Sequence, residues 1–404
     1  LERGRFDERF AAAAAQLGAN NTAQRLAGVY ALGALADENT ARRQQCIDLL
    51  CSYIRLPYDP SAALLRTVVS EHTWPVGAAT GKEQRTFESL PNDRNVRLAI
   101  IALIRTHLRP QAKVSWSAYD FDFTGALFDF ADFSGAEFSR SEVSFVGARF
   151  SDGEVRFDGT RFSGSVVSFK HATFSGSTEV NFKNATFSGG EASFDWATLS
   201  GDLVNFENVV FSGGRATFNL RTKFSGSEIT FAGATFSHAT VQFHGAEFSG
   251  RVSFEGAKFY GSELGPGSFD GAVRFNGARF SGGNYVNFDN AEFAGGRVWF
   301  GNVFFGDGAF FGRGTFSGAT VIFSSTTFTQ GIGFNESEFS GGKVFLAVTL
   351  PPGRRIDFSG SKFTGGEVIS DAQDEQIVGD EGQVIRRSLG RGTGDGDGAS
   401  SIGK

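Results

Sequence analysis

The 404-residue chain has no methionine, two cysteines, eight prolines and five histidines. Each scarcity excludes something. Cys46 and Cys51 cannot make a disulfide framework, and they suit a reducing compartment. No run reaches 18 apolar residues, so no helix of this sequence spans a bilayer. The longest helix-like apolar stretch, residues 96–108, is broken by Arg97, Arg105 and His107. The first ten residues are charged throughout and lack a signal-peptide pattern. A net charge of −6 and a pI near 5.5 exclude the basic face of a general nucleic-acid binder and the acidity of a solvating protein. A chain that starts at Leu1 without any methionine reads as a processed product or a fragment, with anything upstream hidden. A cytoplasmic protein is the expectation, or one at the cytoplasmic face of the membrane if an upstream anchor exists.

What the chain has is phenylalanine, 46 of them, with 54 glycines. Only Phe6, Phe10 and Phe87 precede residue 116; the other 43 lie between Phe121 and Phe363. Ordinary cores mix Leu, Ile, Val and Phe, so one aromatic used this repetitively signals a repeat. Phe123, Phe128, Phe133 and Phe138 are five apart, and Ala126, Ala131 and Ala136 stand two before the last three. The fives then pair into V-x-F followed by x-G-A-x-F-S-G-G. The register runs through Val143/Phe145/Phe150, Val155/Phe157/Phe162 and Val167/Phe169/Phe174, then Phe231/Phe236 and Phe243/Phe248, and ends at Phe358/Phe363. Leu199 replaces one Phe, and Phe224 comes one residue late.

An inward residue, an outward one and a second inward one is β spacing. Small inward groups alternating with Phe, and a polar or glycine pair at each corner, make a four-sided coil. Coils stack at strand spacing, about 24 residues per turn, giving roughly ten or eleven coils and a rod on the order of 50 Å long. One coil cannot bury its own faces, so its neighbours stabilise it and its ends need covers. Residues 1–115 carry apolar stripes at helical spacing and read as a small all-α domain resembling HEAT or armadillo pairs. Its predicted helices cover about residues 5–17, 22–36, 40–55 and 93–108, the last two separated by a long, irregular polar loop over 57–92 with room for a short helix. Residues 116–370 form the β domain. Residues 371–404 hold a remnant of a C-terminal cap, with Val368, Ile369, Ile377 and Val378 as the nearby apolar residues, and then a disordered tail from about 387.

Phe123 to Phe138, with Ala131-Asp132-Phe133-Ser134-Gly135, resembles the signature of pentapeptide-repeat proteins. The resemblance implies a right-handed quadrilateral parallel β-helix. Arg25 to Leu32 and Val114-Ser115-Trp116 resemble the helical region preceding Phe-rich pentapeptide repeats in actinobacterial proteins, whose relatives often carry membrane helices further upstream. Two roles are implied: a protein-binding scaffold, and mimicry of duplex DNA that modulates DNA gyrase and other type II topoisomerases.

Chemistry is sparse. His238 and His244 sit six apart and lack a third ligand nearby, which favours corner positions over a metal site. Cys46 and Cys51 lie about 140° apart around a helix, as packed thiols rather than a redox pair. Gly390 to Gly394 resembles a phosphate loop but follows no strand and opens no helix. Asp395 to Gly398 lacks downstream calcium ligands, and Gly189-Gly190 and Gly295-Gly296 lack the nine-residue calcium-binding period. No catalytic constellation, cofactor or metal is expected. The structural core is assigned to Phe123, Phe128, Phe133, Phe138, Phe145, Phe150, Phe157, Phe162, Phe169, Phe174, Phe231, Phe236, Phe243 and Phe248. An acidic patch of Asp120, Asp122, Asp129, Asp132, Glu137 and Glu142 is a candidate partner site. The insertion at residues 260–270 is expected to bulge from one corner. Between Trp116 and Ser370, 26 acidic and 19 basic residues alternate too much for a phosphate-like stripe, so a non-enzymatic scaffold ranks above a DNA mimic. A protein partner is expected, nucleic acid is not.

Overall fold

The computed structural model describes residues 2–60, 67–76, 79–88, 90, 92–151, 155–261, 272–282, 285–372, 376–379 and 384–386. Among the described residues four α-helices precede a parallel β-solenoid of about ten turns. The chain divides into two compact units, Leu1–Val204 and Asn205–Lys404.

The first unit opens with α1 (Glu2–Leu17) and α2 (Thr22–Glu38). Asn21 ends the link between them: its side-chain oxygen accepts from the Ala23 and Gln24 amides and satisfies two donors at the start of α2. Gly28 lets the two helices touch, because a Cβ there would stand 2.5 Å from the Leu17 nitrogen. A short 3₁₀ turn leads into α3 (Arg43–Arg55), and α4 (Asp93–His107) follows. Arg97 of α4 is buried and completes the end of α3. It pairs with Asp93 at 2.7 Å, donates to the Ile54 and Leu56 carbonyls at 2.7 Å, and lies 4.3 Å from the centre of the Tyr58 ring.

The irregular loop expected over 57–92 contains an antiparallel hairpin instead. Its strands β1 (Thr67–Val76) and β2 (Ala79–Glu88) pair from Thr67 with Glu88 to Val76 with Ala79. Thr67, Val68, Val69, Thr73 and Val76 supply β-branched residues. Interspersed charges and polar groups hid that pattern.

The coils begin at Phe121. Strands pair in parallel and in register: Phe138 with Phe162 and Phe162 with Phe187, Val143 with Val167 and Val167 with Ala192. Backbone hydrogen bonds join each layer to the next, as in Phe123 N to Ser144 O and Phe145 N to Ser168 O, both 2.7 Å. The rings form four columns. Phe123, Phe145, Phe169 and Phe194 make one; Phe128, Phe150 and Phe174 a second; Phe133, Phe157 and Phe182 a third; Phe138, Phe162 and Phe187 a fourth. Neighbouring rings in a column stack at 4.4–5.4 Å. Rings of facing columns meet edge to face, Phe145 and Phe157 at 88°. Each fully buried Phe is worth roughly 1.5–3 kcal/mol of transfer free energy.

The second unit repeats the plan. Phe206, Phe231, Phe254, Phe288, Phe311, Phe334 and Phe358 stack at 4.6–5.2 Å. Phe211, Phe236, Phe259, Phe293, Phe316, Phe339 and Phe363 stack at 4.7–5.6 Å. Phe218, Phe243, Phe275, Phe300 and Phe323 form a third column, which Leu346 extends, and Phe224, Phe248, Phe280, Phe305 and Phe328 a fourth. At two positions where a hydroxyl residue replaces the small inward Ala, it donates to the preceding coil: Ser337 Oγ to Phe311 O at 2.7 Å, and Thr160 Oγ1 to Phe133 O at 2.8 Å in the first unit.

The corner two residues after the V-x-F phenylalanine is left-handed in coil after coil. Gly147, Gly245 and Gly277 occupy it, but so do His171, Asn184, Trp196 and Asn290. Leu220 and Arg221 both take positive φ, which absorbs the extra residue that delays Phe224. Val241 pairs directly with Val273, so the ladder resumes across the expected insertion. Residues 262–271 lie outside the described residues, as does the tail from 387. Pairing also continues past 370: Ile377–Gly379 joins Ile356–Phe358, and Val384–Arg386 joins Val368–Ser370.

Candidate functional site

His107 has its Nδ1 2.8 Å from the Leu103 carbonyl and its Nε2 3.0 Å from Asp37, and it stacks on Trp116 at 4.0 Å. His238 and His244 are exposed, and His238 sits in a left-handed corner. Cys46 and Cys51 are both buried in α3; burial pushes the Cys46 thiol up to about 11 and the Cys51 thiol further still. Among the described residues no three His, Cys, Asp or Glu side chains gather where they could hold a metal ion. No helix among them is long and apolar enough to cross a membrane. The phosphate-loop-like and Asp-Gly segments at 390–398 lie outside the described residues.

The acidic patch is met by arginines of the same chain. Asp122 pairs with Arg55 of α3, Asp129 with Arg94 of α4 at 2.6 Å, and Asp132 with Arg105 of α4. Tyr58 Oη donates to Asp129 at 3.0 Å, and Arg105 also donates to Ser134 Oγ at 2.8 Å. Burial alone would raise the Asp122 carboxyl, but hydrogen bonds from Thr124 and the Arg55 guanidinium hold it below the ordinary range. Asp120 accepts from the Glu142 amide at 2.7 Å, and its backbone exchanges two hydrogen bonds with the Gln44 side-chain amide at 2.9 and 3.0 Å. Glu137 accepts from Ser139 Oγ at 3.2 Å. Thus three of the six carboxylates are engaged by helices, and a foreign partner would have to displace arginines to reach them. The sequence named the acidic half of this junction and missed Arg55, Arg94 and Arg105. Basic residues at the ends of two adjacent helices were the available signal.

The same junction covers the first edge of the coils. Glu137 N donates to Leu108 O and Ser139 N to Ser117 O, both at 2.7 Å, so the segment after α4 takes up donors that an open strand would expose.

Outward side chains stand in ladders, and several of these place opposite charges side by side. In the first unit Glu137 stands beside Arg161, and Asp132 beside Arg156. In the second, Lys223, Glu247 and Arg279 follow one another, and Lys258 adjoins Glu292 while Glu338 adjoins Lys362. Opposite charges on adjacent strands support the sheet by a few tenths of a kcal/mol each and break any stripe of one sign.

A family model described as pentapeptide repeats (9 copies) matches residues 123–173 and 153–210. No curated protein and no solved structure matches the chain.

Proposed function

This chain is a pentapeptide-repeat protein, and on that premise we propose that it is a non-enzymatic scaffold that binds another protein through the outer faces of its coils. One observation carries the reading: the repeat spends its conspicuous residues on a dry interior, Phe145, Phe157, Phe243 and Phe254 all being 0 % exposed, and leaves outer faces of mixed composition. Such faces offer many weak contacts in register. A cytoplasmic setting, free or tethered through an upstream anchor, suits two buried thiols that form no disulfide.

Affinity capture with the whole chain tests the reading. A partner retained by the wild type and lost when outward residues such as Arg251 and Lys258 are reversed supports it. Capture indifferent to every outer-face substitution, together with a measurable turnover of the chain's own, contradicts it. Mimicry of DNA toward gyrase requires rows of unpaired carboxylates, and the alternation of Lys223, Glu247 and Arg279 argues against it. A supercoiling assay with micromolar chain is expected to show no effect.

A further inference from the structure

In most coils the residue between the V and F positions is polar. It is Ser144, Ser168 and Ser193 in the first unit and Thr217, Gln242 and Arg274 early in the second. The later coils reverse this. Arg274 is followed in the same ladder by Trp299, Ile322, Phe345 and Ile369. These residues point away from the core, since Val298 and Phe300, Val321 and Phe323, and Val344 and Leu346 on either side are buried. Trp299, Ile322 and Phe345 are half-buried, Ile369 is 4 % exposed, and the ladder runs on to Ile385. The surface is flat. A Cβ on Gly301 would stand 3.0 Å from Trp299 Nε1, so the indole lies across that glycine, and it donates to Ser324 Oγ at 3.1 Å. Gly301, Ser324 and Ala347 line one flank of the apolar row with small groups; Arg297, Thr320, Lys343 and Glu367 line the other.

We propose that this face pairs with the same face of a second copy of the chain, the two solenoids running antiparallel about a two-fold axis. Charge selects the occupant and the direction. An axis parallel to the strands, passing between Ile322 and Phe345, reverses the order of coils. It sets Ile322 against Phe345 of the second copy and Arg297 against Glu367 of the second copy, twice by symmetry, with Lys343 opposite Thr320. A parallel pairing would put Arg297 against Gly301 and Lys343 against Ala347, with no ion pair. Glu367 already pairs with Lys343 at 3.0 Å, but both remain about half exposed, so Glu367 can accept a second cation. Flat sheet faces of this kind pack about 10 Å apart. The surface stands independently of the scaffold reading, because a chain that captures no foreign protein can still self-associate.

Sedimentation velocity of the full chain over a range of concentrations tests the proposal. A reversible dimer is expected, weakened by added salt. Arg297→Glu and Glu367→Arg should each weaken it by about tenfold or more, and the double reversal should restore it. Ile322→Lys should leave a monomer. Thermal melts of each variant separate lost association from lost folding. A chain that stays monomeric at every concentration overturns the proposal, as does a dimer indifferent to Ile322→Lys. Failure of the double reversal to rescue a folded chain overturns it too. Partner capture in the preceding assay responds to Arg251 and Lys258 instead, so either idea can fail alone.

Discussion

Arg97 in α4 gathers three different kinds of group around one guanidinium: an aspartate, two carbonyls and an aromatic ring. Phe243 in the coils meets more phenylalanines: Phe218 and Phe275 stacked at 4.8 Å, and Phe231 and Phe254 edge-on. The helical region adds singular polar contacts of this kind to a mixed apolar core that includes Val29, Leu32, Ile47, Leu50 and Ile100. The coils are held by one apolar contact repeated, whose members are close to interchangeable. Local damage should therefore propagate differently. Loss of one wired group leaves several buried polar partners unsatisfied, whereas loss of one ring leaves a dry gap that its neighbours bound on all sides.

The largest effect is expected where a ring is removed from mid-column. Phe243→Ala should cost about 3–5 kcal/mol in chemical denaturation, and Phe243→Leu less than about 1.5 kcal/mol, since Leu346 already stands in the same column. Arg97→Ala should cost a similar amount, about 3–5 kcal/mol, because it takes the cation from Asp93, which keeps only Tyr53 Oη, and strands two carbonyls. The difference lies in rescue: Arg97→Lys should recover little, because an ammonium cannot span the same set of acceptors. If Lys restores full stability, the contrast between wired and repeated contacts fails. Asp129→Ala at the junction should cost about 1–3 kcal/mol by removing the shared acceptor of Arg94 and Tyr58. Leu220→Gly should raise stability by about 1 kcal/mol, because φ is +56° there and Leu220 is 49 % exposed.

The smallest effect concerns pH. Asp122 is held below the ordinary carboxylate range in the folded chain. Its contribution is therefore full above the unfolded value, near pH 4, and is lost as pH falls through the lower folded value. Asp122→Asn should flatten the acid limb of the stability profile slightly, because the pair is half exposed. An unchanged acid limb would remove the Arg55 pair from the account.

This contrast also explains what could be read from the chain without coordinates. Inward Phe at a fixed spacing leaves a period, and from Phe123, Phe128, Phe133 and Phe138 alone the coil and its inward rings follow. Helices α2, α3 and α4 were legible for the same reason, through apolar spacing and the breakers Pro57 and Pro110. The junction was half legible: clustered carboxylates are visible in a sequence, but their arginines lie 27–67 residues away at helix ends, and nothing local pairs them with those carboxylates. The hairpin at Thr67–Glu88 was missed because its polar alternation resembles a loop. The outward Trp299, Ile322 and Phe345 were overlooked because, in an apolar-rich strand, only the pairing register tells an inward residue from an outward one.

Register is thus the quantity to measure. Thr235 and Lys258 are register partners on the outside of adjacent coils, while Tyr260 lies opposite Ser237 two residues along. In-register partners on neighbouring strands place their Cα atoms about 4.8 Å apart, within reach of a disulfide. Oxidation of the Thr235→Cys/Lys258→Cys chain should form the bond readily, and the Thr235→Cys/Tyr260→Cys chain should not. Equal cross-linking in both, or none in the first, would mean that the phenylalanines do not stack coil upon coil.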